Sequence, residues 1–180
     1  MRETIEPLAP APAAADLAAL QALLRDVVEG GASIGFMRPL AEPDIASFWA
    51  GVIPGVAAGH RLAFVARDAG RIVGSVQLAL APQPNGRHRA ELQKLLVHRS
   101  RRRRGCGAGL LRAAEAAALA QGRTRIVLDS GATGNALGLY DRGGYTRVGV
   151  IPRFAADPDG PLIDTVVYYK ELARTAGDHS

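Results

Sequence analysis

From Asp16 onward apolar residues return at helical spacing, through Leu17, Leu20, Leu23, Leu24, Val27 and Val28, until Gly30 and Gly31 close the run. The spacing predicts a helix with Asp16 as its cap. Ahead of it, Pro7 to Ala15 is rich in Pro and Ala and reads as an arm, so residues 1–15 are set apart from a single domain at 16–173 with a tail at 174–180. A second helical stretch begins near Glu42 and carries Ile45, Phe48 and Trp49, with Pro54 limiting or kinking it. The period then shortens. Leu62 to Ala66 and Arg71 to Leu78 flank the turn residues Asp68-Ala69-Gly70, which predicts an antiparallel hairpin. A strand ending at Val97 follows, then a helix from Gly105 to about Gln121, a strand near Arg125 to Asp129, a short helix from Asn135 to Arg142, and strands near Tyr145 to Ile151 and Ile163 to Lys170. A helix crossing between the Val97 and Asp129 strands makes those two parallel, while the hairpins around them make the sheet mixed.

The join at Val97 carries the clearest chemistry. Leu92, Leu95, Leu96 and Val97 suit a buried strand, the turn is Arg99-Ser100-Arg101-Arg102-Arg103-Arg104, and Gly105 and Gly107 open the next helix. A helix start presents unpaired backbone N–H groups and about half a positive charge, so it can hold an anion. A Walker loop would need Gly-Lys-Ser/Thr and a dinucleotide turn Gly-x-Gly-x-x-Gly, whereas Gly105, Gly107 and Gly109 give neither. The sequence Arg102-Arg103-Arg104-Gly105-Cys106-Gly107 instead resembles the acetyl-CoA signature of the GNAT N-acetyltransferases. Ala136-Leu137-Gly138-Leu139-Tyr140-Asp141-Arg142-Gly143-Gly144-Tyr145 is similar to that family's second motif. Within the family, the Glu91-Leu92-Gln93-Lys94-Leu95 strand and the run from Tyr145 to Gly160 resemble tabtoxin-resistance-type enzymes acting on small molecules.

The resemblance implies an α/β (α+β) fold with a mixed, centrally splayed sheet flanked by helices, and a cosubstrate, acetyl-CoA. It implies that backbone groups of Leu95, Leu96 and Val97 meet the pantetheine arm, one N–H polarising the thioester carbonyl. Arg102, Arg103, Arg104, Gly105, Cys106, Gly107 and Ala108 would receive the pyrophosphate. Tyr140, at the motif's tyrosine, would protonate or hydrogen-bond the leaving sulfur, and Asn135, two positions later than the family's usual Asn, is the remaining cofactor candidate. The segment near Glu42 would cover the acceptor side.

Two carboxylates suit the removal of a proton from the acceptor ammonium. By period two, Glu91, Gln93, Leu95 and Val97 share a strand face, which points Glu91 into the same cleft as the cofactor positions. Asp129 lies at the C-terminal end of its strand, where ligands of parallel sheets gather. Either carboxylate could equally be an ordinary surface group.

The expected acceptor is thus a small-molecule amine attacked directly in a ternary complex. A non-catalytic acyl-CoA-binding protein of the same fold, or transfer to a peptide or protein amine, stays open, as does a homodimer. Net charge is +5, concentrated in the arginine turn, which raises a nucleic-acid reading, but few aromatics and no nucleic-acid module accompany it. No apolar run reaches the roughly 20 residues of a membrane span. The start Met1-Arg2-Glu3-Thr4-Ile5-Glu6 lacks the order of a signal peptide, and the single Cys106 suits a reducing compartment, so a cytoplasmic enzyme is expected. Four scattered histidines, His88 and His98 among them, and one cysteine give no metal-ligand spacing.

Overall fold

The computed structural model describes residues 3–134 and 136–173, so Asn135 and the tail at 174–180 lie outside the described residues. Its elements are β1 (Thr4–Pro7), α1 (Ala14–Glu29), α2 (Glu42–Ala57), β2 (Arg61–Asp68), β3 (Arg71–Leu80), β4 (Arg89–Val97), α3 (Cys106–Ala120), β5 (Arg125–Gly131), α4 (Leu137–Arg142), β6 (Thr146–Ala156) and β7 (Leu162–Glu171). They build one mixed sheet in the order β1-β2-β3-β4-β5-β7-β6. Every neighbouring pair is antiparallel except β4 and β5, which α3 joins as a parallel crossover.

Helices cover both faces, each by an apolar stripe of the kind that 3.6-residue spacing produces. On one face α3 buries Cys106, Leu110, Leu111, Ala114 and Ala118 against Val76, Leu78, Ala90, Leu92, Ile126 and Leu128. On the other, α1 buries Leu20, Leu23, Leu24, Val27 and Val28, and α2 adds Ile45, Trp49 and Val52. The β2–β3 hairpin closes through Ala69 and Gly70, both at positive φ, the turn whose twist matches that of its strands.

Several boundaries differ from the sequence expectation. Part of the segment read as an arm is strand β1, which pairs Thr4 with Arg67 through Pro7 with Phe64 on the outer edge of β2. Asp16 does not cap α1, whose cap position is Ala13. The guanidinium of Arg67 takes it instead through two hydrogen bonds of 2.8 Å, because an ion pair to a neighbouring strand outcompetes a local backbone bond. Pro54 sits inside α2, which ends three residues later at Ala57. β6 runs on to Ala156 through bulges near Val148 and Arg153.

Candidate functional site

The parallel pair is short. β4 and β5 are joined only at Arg89↔Arg125, Ala90↔Ile126 and Glu91↔Val127. Beyond Glu91 each strand keeps its outer neighbour, β4 holding β3 as far as Gly74↔Val97 and β5 holding β7 as far as Gly131↔Thr165. The sheet therefore parts into a wedge, and backbone groups on its two inner edges lack the ladder that a continuous sheet would supply.

A bulge lies on one side of that wedge. Gln77 pairs with Gln93, but the next pair is Ser75↔Leu96, so β4 carries one residue more than β3, and Lys94 takes a left-handed φ of 49° there. An extra residue switches the face of everything after it. Glu91 and Gln93 face the α1/α2 side, Leu95 and Val97 pack toward α3, and fully buried Leu96 joins the α1/α2 core. The shared face expected for Glu91, Gln93, Leu95 and Val97 is thus corrected: the period holds up to Gln93 and breaks at the bulge.

On the α3 side, Arg99 to Arg101 form one 3-10 turn, Arg103 lies at φ 59°, and Gly105 at φ 91° precedes the helix. The first helical bond runs from the N–H of Gly109 to the Gly105 carbonyl at 2.9 Å, so the N–H groups of Cys106, Gly107 and Ala108 lie ahead of it. A Cβ on Gly107 would sit 3.2 Å from Leu139 Cδ2, which makes glycine the residue that lets the tip of α3 approach α4. The arginines divide. Arg99 gives its N–H and its guanidinium to Asp26 of α1, Arg101 pairs with Asp68, and Arg102 Nε reaches the Val97 carbonyl at 3.3 Å. Arg103 and Arg104 are exposed and make no ion pair among the described residues. His98 belongs to the scaffold: Nδ1 is 2.9 Å from Ser100 Oγ and Nε2 3.5 Å from Asp26. Cys106 is buried, which raises its thiol to about 11 and keeps it protonated at neutral pH.

On the opposite face a cavity of about 240 Å³ is walled by Val127, Ile151, Phe154 and Val167 and carries Glu91, Asp129 and Thr165. Gln93 Nε2 donates to Glu91 at 2.8 Å and the Thr165 hydroxyl to Asp129 at 3.2 Å. Both carboxylates proposed from the sequence thus line one space. The N–H of Arg38, in the α1–α2 connection, donates to the Pro158 carbonyl at 2.9 Å, and its guanidinium pairs with Asp159 in the β6–β7 turn.

A splayed parallel pair that opens at the start of a glycine-led helix is the geometry that the motifs imply, while the carboxylates lie on the opposite face of the sheet. Residues 27–145 match the family model for the Acetyltransferase (GNAT) family. The chain belongs to this family. Solved structures of similar fold include an N-acetyltransferase from Staphylococcus aureus Mu50, at 19% identity and TM-score 0.78 over 96% of this chain and all of that one. A ribosomal-protein-alanine N-acetyltransferase from Brucella melitensis gives 22% and 0.77, covering 94% and 99%. The yncA protein from Salmonella typhimurium, solved with its cofactor acetyl-CoA, gives 18% and 0.75, covering 100% and 99%.

In this GNAT enzyme Tyr140 sits on α4 in a trio of rings, with Tyr145 and Tyr168 at centroid distances of 5.8 and 5.6 Å. It is 5% exposed, and its hydroxyl has no hydrogen-bond partner among the described residues. Burial, reinforced by the charge of Asp129, pushes the phenol above its ordinary value, so it stays protonated at neutral pH and available as a donor. Lys94 was absent from the sequence candidates. Its Nζ donates to the Ile34 carbonyl at 2.6 Å, and it lies among Asp129, Glu91 and Arg61. Among the described residues no group of three or more His, Cys, Asp or Glu is placed to share a metal ion, and no helix is long and apolar enough to cross a membrane.

Proposed function

We propose that the enzyme moves the acetyl group of acetyl-CoA to the amine of a small molecule by direct attack within a ternary complex, as the likeness to tabtoxin-resistance-type enzymes suggests. One observation supports this reading: the strands part beyond Glu91, with the α3 tip on one face of the opening and the cavity carrying Glu91 and Asp129 on the other. The free N–H groups of Cys106, Gly107 and Ala108, with Arg103 and Arg104, suit the pyrophosphate, while Arg102 holds the end of β4. The unpaired edge of β4 at Leu95 and Val97 suits the pantetheine amides and an N–H on the thioester oxygen. Leu96 contributes backbone only, since its side chain is in the core.

The step balances with the residues present. The acceptor ammonium gives a proton to Asp129 or Glu91. The neutral nitrogen then bonds to the carbonyl carbon, the C–S bond breaks as Tyr140 protonates the sulfur so that coenzyme A leaves as a thiol, and the second proton shed by the nitrogen as it becomes an amide returns to the Tyr140 oxygen through solvent. Thiol release from acetyl-CoA, read against a panel of small amines and peptides, tests the reading. Turnover of small amines supports it. Tight acetyl-CoA binding without turnover of any acceptor would make the chain a binding protein, and turnover of peptides alone would move the acceptor class.

A further inference from the structure

The chain has 22 basic residues, and only Lys94 and Lys170 are lysines. The Lys170 ammonium is absorbed by the fold, donating to Glu115 and to the Gly143 carbonyl at 2.8 Å each. Lys94 differs. Its ammonium has three donors, of which one goes to the Ile34 carbonyl, and no ion pair joins it to Glu91 or Asp129. The other charges here are also held by neutral partners. Arg61 Nη1 donates to Gln77 and Gln93 at 2.8 and 2.7 Å, Glu91 accepts from Gln93, and Asp129 accepts from Thr165. Two cations and two carboxylates therefore share one face of the sheet around the wedge without forming an ion pair with one another.

Such a site is complementary to a molecule that carries both charges. We propose that Lys94 determines acceptor specificity, its ammonium binding the carboxylate of a small amino acid whose amine lies against Asp129 and Glu91. The proposal rests on the acetyl-transfer reading above and names the substrate class for that site. Lys94 is the better placed cation, since it follows the last β4–β5 pair, whereas Arg61 lies beneath α2, its Cβ 3.5 Å from where a Cβ on Gly55 would be. The cavity of about 240 Å³ takes the amine and side-chain end of such a molecule, with apolar walls from Val127, Ile151, Phe154 and Val167, while Lys94 stands outside its lining, within the electrostatic reach of Glu91 and Asp129. Burial draws the Lys94 amine below its ordinary value, while Asp129 and Glu91 counteract this and Arg61 adds to it. A carboxylate arriving beside the ammonium favours the charged form further.

The test compares leucine, methionine and phenylalanine with their carboxamides and their decarboxylated amines, as kcat/KM corrected for the neutral fraction of each amine. The wild type should favour the acids by about tenfold or more, the scale of one lost charge-assisted bond. Lys94→Met should raise KM for the acids about tenfold and leave the decarboxylated amines within about threefold, so that the preference collapses. The ratio is the deciding quantity, because loosening the Ile34 contact alone would weaken all acceptors together. Lys94→Arg, which keeps the charge, should retain part of the preference. Equal use of acids and amides by the wild type, or an unchanged ratio in Lys94→Met, overturns the assignment and leaves acetyl transfer standing. No turnover of any acceptor by a protein that binds acetyl-CoA overturns both. Should the variants fail to fold, the wild-type ratio of acid to amine decides alone.

Discussion

Tyr140 has a hydroxyl without a described partner in an otherwise packed ring cluster, so removing the oxygen costs little packing. Tyr140→Phe should keep the fold and the affinity for acetyl-CoA and lower kcat by about 10- to 1,000-fold, on the scale of general acid catalysis. Because burial raises this phenol, wild-type kcat should show no alkaline loss up to about pH 10, the ordinary tyrosine value. If Asp129 or Glu91 takes the ammonium proton, Asp129→Asn or Glu91→Gln should cost most at neutral pH. The deficit should then close as pH approaches the acceptor's own pKa, because solvent there supplies the neutral amine. A pH–rate profile of each variant separates this from a uniform loss, which would make that carboxylate a positioning residue. At this scale the motif picks out Tyr140 and the paired strands pick out Glu91 and Asp129, two carboxylates that line one cavity, and the variants above decide their roles. Lys94 was hidden, since a lone lysine in a strand ordinarily reads as solvent-facing. Its signals are its place in the Glu91-Leu92-Gln93-Lys94-Leu95 strand and rarity, one of two lysines in a chain with twenty arginines.

Among the elements, the basic turn is two devices in one run of arginines. Arg99 and Arg101 bolt it to α1 and to the β2–β3 turn, which leaves Arg103 and Arg104 for a ligand. The double variant Arg103→Ala, Arg104→Ala should weaken acetyl-CoA binding about 3- to 30-fold by calorimetry and flatten its salt dependence, with no change in melting temperature. Asp26 is the other anchor. Burial would raise its carboxyl, yet the N–H and guanidinium of Arg99, together with His98, hold it below the usual carboxylate range. Its contribution to stability is thus present above the unfolded value of about 3.9 and fades as pH falls through the lower folded one. Asp26→Asn should therefore lower the denaturation midpoint above about pH 4, and the gap to wild type should close in stronger acid. Helices and hairpin were readable because apolar spacing reports burial. The β4 bulge was not, since counting by two assumes that no residue is inserted and Lys94 carries none of the glycine that usually marks positive φ. Nor was β1, whose four residues gain their place from the bare edge of β2 rather than from any pattern of their own.

Taken as a whole, the molecule is two half-sheets, β1 to β4 and β5 to β7, sharing three residue pairs. Further links include α3, the bonds of Arg123 and Thr124 to the carbonyls of Ala81, Arg87 and His88 at the closed end, and the contact of Arg38 with Pro158 and Asp159. A ligand lying in the wedge then acts as a missing strand, a rivet between two plates, and the native state gains whatever free energy the rivet contributes. At acetyl-CoA one hundred times its Kd the gain is about 2.7 kcal/mol, which for a domain of this size amounts to roughly 5–10 °C in Tm. Hydrogen exchange should localise it, with protection rising along 92–97 and 128–131 and little change in β1. The resistance of this protein to unfolding would then follow the supply of the acetyl donor, so that starved of it the enzyme is also the easier chain to degrade.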